Sequence, residues 1–141
     1  MDSYKIYIDE NLAPQLAKGL NELQQPQNIK EKLDIQVFSL KVVFGEGAQD
    51  EDWIPKVGAE KGIVITQDFR IQTLRHQNEL YKKHGVGFFF FIPPSKSGFA
   101  YWEMVKQLVN RWDEIKQIIR DNETPFAYRC RAKSKFEKLN S

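Results

Sequence analysis

Short apolar runs and longer amphipathic segments alternate along this chain, and this pattern predicts strands that alternate with helices. The predicted strands are the β-branched and aromatic runs at 4–8, 35–40, 63–65 and 88–92. The predicted helices carry apolar residues at helical spacing and lie at about 12–23, 50–61, 71–83 and 102–119. This order gives right-handed crossovers and a mostly parallel sheet with helices on both faces. We therefore expect an α/β fold with three layers.

Three segments carry more specific expectations. The polar stretch from Gln24 to Lys32 contains Pro26, which predicts a connector between the first helix and the second strand. Trp102 and Trp112 fall on the apolar stripe of the longest helix, so we expect both in the core. Between positions 125 and 136, arginines and lysines occupy alternate positions, which predicts a C-terminal strand with one basic face.

Composition narrows the class of protein. The chain has 141 residues, 41% of them hydrophobic and 28% charged, which predicts one globular domain. No apolar run approaches the roughly 20 residues that a membrane-spanning helix needs. The N-terminal residues lack the basic and apolar segments of a secretory signal, and the single cysteine, Cys130, fits a reducing compartment. We therefore expect a cytoplasmic protein. Two histidines, His76 and His84, and one cysteine are too few for a zinc site, so oxygen ligands would hold any metal.

Acidic residues follow the predicted strands. Asp9 comes directly after the first strand, and Asp68 comes two residues after Thr66 at the end of the third. Asp50 stands before an apolar-periodic segment that follows the second strand, where an N-cap residue is expected. The carboxyl ends of parallel strands meet at one edge of a sheet, so these three acids are expected to share that edge.

Three carboxylates in one crevice repel one another unless protons or a cation neutralise them. Magnesium or manganese is the expected bound ion, because hard cations prefer oxygen ligands and keep coordination positions open for phosphate oxygens. Such a cation would promote hydrolysis of a phosphodiester bond, with Asn11 and Thr66 orienting the ligands through hydrogen bonds. An aspartate that caps a helix also stabilises it by about 1 kcal/mol without any catalytic role. The residue pattern alone leaves both interpretations open.

The ordered motifs YIDENL, GAQDEDWI and IVITQD, at 7–12, 47–54 and 63–68, resemble the three acidic motifs of PIN-like domains. The similarity covers roughly residues 4–120 and is nearest to VapC-type toxin ribonucleases of toxin–antitoxin pairs. The resemblance implies a three-layer α/β/α (Rossmann-like) domain and a metal-dependent endoribonuclease. It also implies an RNA substrate, an antitoxin partner and a homodimer.

Matched by position, the resemblance gives metal-binding roles to Asp9, Asp50 and Asp68, and companion roles to Asn11 and Thr66. Asp50 is preferred to Asp52 because it stands three residues before the bulky Trp53, as in the related pattern. Asp52 is the reserve candidate.

One position departs from the family pattern. Many members carry a further acid just after the third motif, whereas this chain has Phe69 and Arg70. Fewer carboxylates would hold a second metal weakly, which leaves one-metal chemistry or weak activity open. Arg70 would either contact a phosphate or lie in solvent at the start of a helix.

The basic tail carries Arg129, Arg131, Lys133 and Lys135 and suits a phosphate backbone. A basic edge strand is also a common protection against aggregation, and both interpretations stay open.

Two other functions compete with the ribonuclease. One is a PIN-like module that binds RNA or protein without turnover. The other is a phosphoacceptor receiver-like domain, which is disfavoured because the strand at 88–92 ends in two prolines and not in a lysine.

Overall fold

The structure is a computed structural model that describes residues 2–9, 14–69 and 75–139. The strands are β1 (Asp2–Ile8), β2 (Leu33–Ser39), β3 (Ile63–Thr66), β4 (Gly87–Phe91), β5 (Phe126–Cys130) and β6 (Glu137–Lys138). The helices are α1 (Pro14–Glu31), α2 (Leu40–Phe44), α3 (Asp50–Ala59), α4 (Arg75–His84) and α5 (Tyr101–Asp121).

The strands form one six-stranded sheet in the order β2-β1-β3-β4-β5-β6. The strands from β1 to β5 pair in parallel, and β6 is antiparallel to β5. One buried cluster packs α1 and α5 on one face of the sheet, and a second packs α2, α3 and α4 on the other. This arrangement confirms the predicted three-layer fold with a mostly parallel sheet.

Strand β4 has no polar face, because both of its faces are covered. Phe89 and Phe91 point into the cluster with α1 and α5, and Phe88 and Phe90 point into the cluster with α3 and α4. All four rings are fully buried. A strand that is covered on both faces needs apolar residues at every position, so its sequence loses the alternation of a half-exposed strand.

Helix α1 is longer than predicted. It continues through Pro26 to Glu31, so the predicted connector from Gln24 to Lys32 is wrong. The polar residues are amides that bind the neighbouring strand instead of solvent: Asn28 Nδ2 donates to the Ile35 carbonyl at 3.0 Å, and Asn28 Oδ1 accepts from the Ile35 amide at 3.1 Å. Strand β2 is at the sheet edge, and these side chains take the place of a missing neighbour strand.

The buried apolar stripe of helix α5 contains fewer residues than predicted. Its buried apolar residues are Met104, Leu108, Ile115 and Ile119. Trp102 is 70% exposed, so its predicted place in the core is wrong. Trp112 packs partly buried against the core, and its indole N–H donates to Gln24 Oε1 at 2.9 Å.

The predicted basic strand is correct only at its beginning. Strand β5 ends at Cys130, and the chain turns through 131–134 before it returns as β6. Arg131, Lys133 and Lys135 therefore do not lie on one face of a strand, because the turn ends the alternation. The rings of Tyr128 and Phe136 pack partly buried against the sheet.

Candidate active site

Asp9 lies at the carboxyl end of β1, next to the end of β3 in the sheet. Its backbone N–H donates to the Ile65 carbonyl at 3.0 Å, which extends the pairing of the two strands by one residue. The residue is only 7% exposed. The first predicted acid is therefore held at a fixed place by the sheet itself.

Thr66 connects two of the predicted site residues. Its side chain is fully buried, and its hydroxyl donates a hydrogen bond to Asp9 Oδ2. The same oxygen accepts the backbone N–H of Asp68 at 2.9 Å. One hydroxyl thus orients the carboxylate of Asp9 and fixes the turn that carries Asp68.

Asp50 is the first residue of α3, and the N-cap position belongs to Gln49. The predicted N-cap role of Asp50 is therefore wrong by one residue. Gln49 makes no capping hydrogen bond through its side chain, and three acids, Asp50, Glu51 and Asp52, stand in the first turn. Negative charge at a helix N-terminus is favourable, so part of this acidity has a structural use.

The pKa of Asp50 is raised, first by burial and then by the negative charges of Asp68 and Glu51. Asp9 adds to the rise, and a hydrogen bond with Trp53 opposes it. A raised pKa of this origin means that the three predicted acids lie close enough for their charges to interact. Asp52, the reserve candidate, is exposed on the first turn of the same helix.

A hard divalent cation fits this site by the chemistry of its donors, which are carboxylates whose repulsion it would relieve. Within 2–9, 14–69 and 75–139, no three histidine, cysteine, aspartate or glutamate side chains stand together as a ready set of metal ligands. The predicted Asn11 and Arg70 lie outside the described residues.

Gln67 is a site residue that the sequence analysis missed. Its side-chain Oε1 accepts the backbone N–H of Phe99 at 3.1 Å, and this bond ties the loop after β4 to the acid site. Gly98 makes the close approach possible, because a Cβ there would stand 2.9 Å from the same oxygen and the backbone has φ +87°. A glycine after the Ser-Lys-Ser run was the only signal in the sequence.

The basic residues after β5 lie in a turn that α5 holds in place. Arg111 Nη2 donates to the carbonyls of Arg131 and Ser134 at 2.9 and 2.8 Å. Gln107 Nε2 donates to the Ala132 carbonyl at 3.0 Å. The backbone of the turn is thereby fixed. We call residues 131–135 the basic loop; its charged side chains are exposed.

The four basic residues of the predicted tail do not share one environment. Arg129 forms an ion pair with Glu137 at 3.2 Å, and its guanidinium lies over the Phe69 ring. Arg131, Lys133 and Lys135 are exposed in the basic loop. Arg129 therefore serves the packing of β5 and β6, and the loop carries the accessible positive charge.

Cys130 is buried, and burial raises the pKa of its thiol to about 11. The thiol therefore stays protonated near neutral pH. A protonated thiol is a poor nucleophile, so this side chain belongs to the core and not to the chemistry of the site.

A family model described as a PIN like domain matches residues 4–92 of the chain, which is more than half of its length. The matched part runs from β1 to the end of β4 and includes Asp9, Asp50 and Asp68. Comparisons with curated proteins and with solved structures gave no match. None of the helices in the described ranges combines the length and the apolar character needed to span a membrane.

Proposed function

We propose that this chain, which belongs to the PIN-like domain family, is a divalent-cation-dependent endoribonuclease. The observation that carries the proposal is the link between strand-end acids. Thr66 joins the carboxylate of Asp9 to the backbone of Asp68, and the pKa of Asp50 responds to the charges of both acids. Such a group of carboxylates at the carboxyl edge of a parallel sheet suits a phosphodiester substrate that arrives with a cation.

In this proposal, Asp9, Asp50 and Asp68 bind one magnesium or manganese ion. The bound ion would supply an activated water near neutral pH and stabilise the negative charge that develops on the phosphate. Thr66 keeps Asp9 in one orientation, since a buried carboxylate that loses its hydrogen bond would rotate or take up a proton. Asn11 is proposed to orient the same ligands.

The substrate is proposed to be RNA, with the basic loop on its phosphate backbone. The side chains of Arg131, Lys133 and Lys135 are accessible, and the fixed backbone of the loop lowers the entropy lost on binding. The loop follows β5, so it lies at the same edge of the sheet as the acids. Arg70 is proposed as a further phosphate contact.

On the resemblance to VapC-type toxins, we further propose that the chain is a cytoplasmic toxin. It would form a homodimer and be silenced by an antitoxin. The test is the gene beside this one: a small open reading frame for a DNA-binding protein would support it. Pull-down of that product by the purified chain would then test the partner directly.

Cleavage of RNA by purified protein tests the catalytic proposal. With manganese added, the wild type should cleave at least one RNA of a panel of structured and unstructured substrates, and Asp9→Asn should reduce the rate by about 100-fold or more. Asp52→Asn is the matched control, because Asp52 is an exposed acid beside the site. Equal cleavage by wild type and Asp9→Asn would show that the activity lies elsewhere.

A second candidate function is a PIN-like module that binds RNA without turnover. It is favoured by the lack of a ready three-ligand set among the described residues, and by Arg70 at a position where many members have an acid. RNA binding that falls with salt, together with no manganese-stimulated cleavage of any RNA, would select this function over the first.

A further inference from the structure

Two consecutive aromatic residues, Tyr101 and Trp102, begin helix α5 and are exposed. Trp102 is 70% exposed and Tyr101 is 49% exposed. Their rings contact each other edge to face, with centroids 5.1 Å apart. Two adjacent exposed rings form a small apolar surface that would gain free energy if a ligand covered it.

The position of this pair relative to the acid site is fixed by one hydrogen bond. Gln67, which precedes Asp68, accepts the backbone N–H of Phe99 at 3.1 Å. Phe99 lies two residues before Tyr101, and α5 begins on the carboxyl side of β4. The aromatic pair is therefore at the same edge of the sheet as Asp9 and Asp68.

Two exposed lysines lie near the pair in sequence, and Glu103 follows Trp102 in the first turn of the helix. Lys106 stands four residues after Trp102, which places both side chains on the same side of the helix. Lys96 is exposed in the loop that leads to the helix. Exposed aromatic rings beside cations match a single-stranded nucleic acid, whose bases stack on the rings while its phosphates meet the lysines.

We propose that Tyr101 and Trp102 form a base-stacking platform that binds single-stranded RNA beside the acid site. The proposal rests on the proposed function for the identity of its ligand, and it adds that the substrate is unpaired. Bases in a duplex are already stacked on one another, so a paired strand offers no free base to the platform. Lys96 and Lys106 are assigned to the flanking phosphates.

The test is RNA binding by the full chain, measured by fluorescence anisotropy with a chelator present so that no cation-dependent cleavage occurs. A short labelled polyadenosine strand is the probe, and a duplex of equal length is the comparison. Trp102→Ala should weaken binding of the single strand about tenfold and leave the duplex unchanged. Trp102→Phe should keep most of the affinity, since it keeps an aromatic ring.

Val109→Ala is the matched control, because Val109 is another exposed apolar residue on the same helix and its loss should not change RNA binding. The intrinsic fluorescence of Trp102 gives a second measurement: single-stranded RNA should quench wild type more than Trp102→Phe. Trp53 is buried and Trp112 is partly buried, so they form a common background.

Equal binding of the single strand by wild type and Trp102→Ala would overturn the platform. Light scattering on both proteins covers the main alternative: equal RNA binding with loss of a dimer in Trp102→Ala would assign the pair to self-association. The two proposals fail separately. Cleavage that depends on Asp9 with no effect of Trp102 removes only the platform, and RNA binding that depends on Trp102 without any cleavage removes only the catalysis.

Discussion

Thr66 and Asp9 are joined by a hydrogen bond that connects the ends of two neighbouring strands, β3 and β1. The hydroxyl of Thr66 also accepts a hydrogen bond from the Asp68 amide at 2.9 Å, so it acts both as a donor and as an acceptor. The geometry of the candidate site therefore depends on one buried side chain that carries no charge.

Thr66→Val tests this dependence, because valine has almost the same shape and no hydroxyl. The change removes one hydrogen bond from the buried carboxylate of Asp9 and one from the amide of Asp68, and we expect it to reduce the free energy of unfolding by about 1–3 kcal/mol. Manganese affinity should fall about 10-fold to 100-fold, since Asp9 is no longer oriented. Urea unfolding and calorimetric titration measure the two effects. Thr66→Ser, which keeps the hydroxyl, should retain most of the affinity.

The raised pKa of Asp50 predicts a pH dependence of cation binding. A protonated Asp50 cannot bind a cation, so manganese affinity should increase with pH while Asp50 loses its proton and become constant above its pKa. The increase should approach tenfold per pH unit on the acid side. Titration calorimetry over a pH series measures it. Asp50→Asn should flatten this part of the profile, whereas Asp52→Asn should leave it unchanged.

The same shift predicts the sign of a stability effect without cations. The folded protein holds the Asp50 proton more tightly than the unfolded chain does, so this residue favours folding at low pH. That contribution is lost as the pH rises through the folded pKa. Thermal unfolding at neutral pH in a chelator should therefore give a higher melting temperature for Asp50→Asn than for the wild type. A lower melting temperature would mean that its charge at the helix N-terminus outweighs the repulsion.

The basic loop predicts the salt dependence of RNA binding. Replacing Arg131 and Lys133 by alanine should reduce the slope of log affinity against log salt by about 0.7 for each lost phosphate contact. Lys30→Ala is the control, since Lys30 is exposed in the last turn of α1, toward the opposite edge of the sheet. An unchanged slope in the double variant would remove the loop from the RNA-binding surface.

The amides of α1 predict a stability effect away from the site. Asn28→Ala leaves the buried Ile35 amide without its hydrogen bond, and we expect a loss of about 1–3 kcal/mol in the free energy of unfolding. Gln27→Ala, an exposed neighbour, should change it by less than about 0.5 kcal/mol. Urea unfolding compares the two. The Asn28 variant should also self-associate more readily, because its edge strand is open to pairing.

The periodicity of the sequence predicts the sheet and its helices well, because alternation and helical spacing reflect which side of an element is covered. It fails where contacts between elements override local composition. Pro26 and its polar neighbours resemble a loop, yet Asn28 binds the backbone of β2 and keeps the segment helical. Trp102 has helical spacing, but it lies beside the buried stripe that Met104, Leu108, Ile115 and Ile119 form.

In the candidate site, too, local sequence predicts some features and not others. The positions of Asp9 and Asp68 follow from strands that end in acids, which the sequence displays directly. The bond from Gln67 to Phe99 depends on how two loops meet, and no local pattern encodes it. The turn that ends the basic strand is fixed by Arg111, which lies far from it in sequence.

Anomalous diffraction from a crystal soaked in manganese tests whether the three acids bind a cation, because it locates the ion without reference to activity. We expect one strong peak at the carboxyl edge of the sheet, within coordination distance of carboxylate oxygens of Asp9, Asp50 and Asp68. Asp9→Asn crystals should lose the peak. A manganese peak away from Asp9 and Asp68, or one that persists unchanged in Asp9→Asn, would contradict the claim that these acids form the cation site.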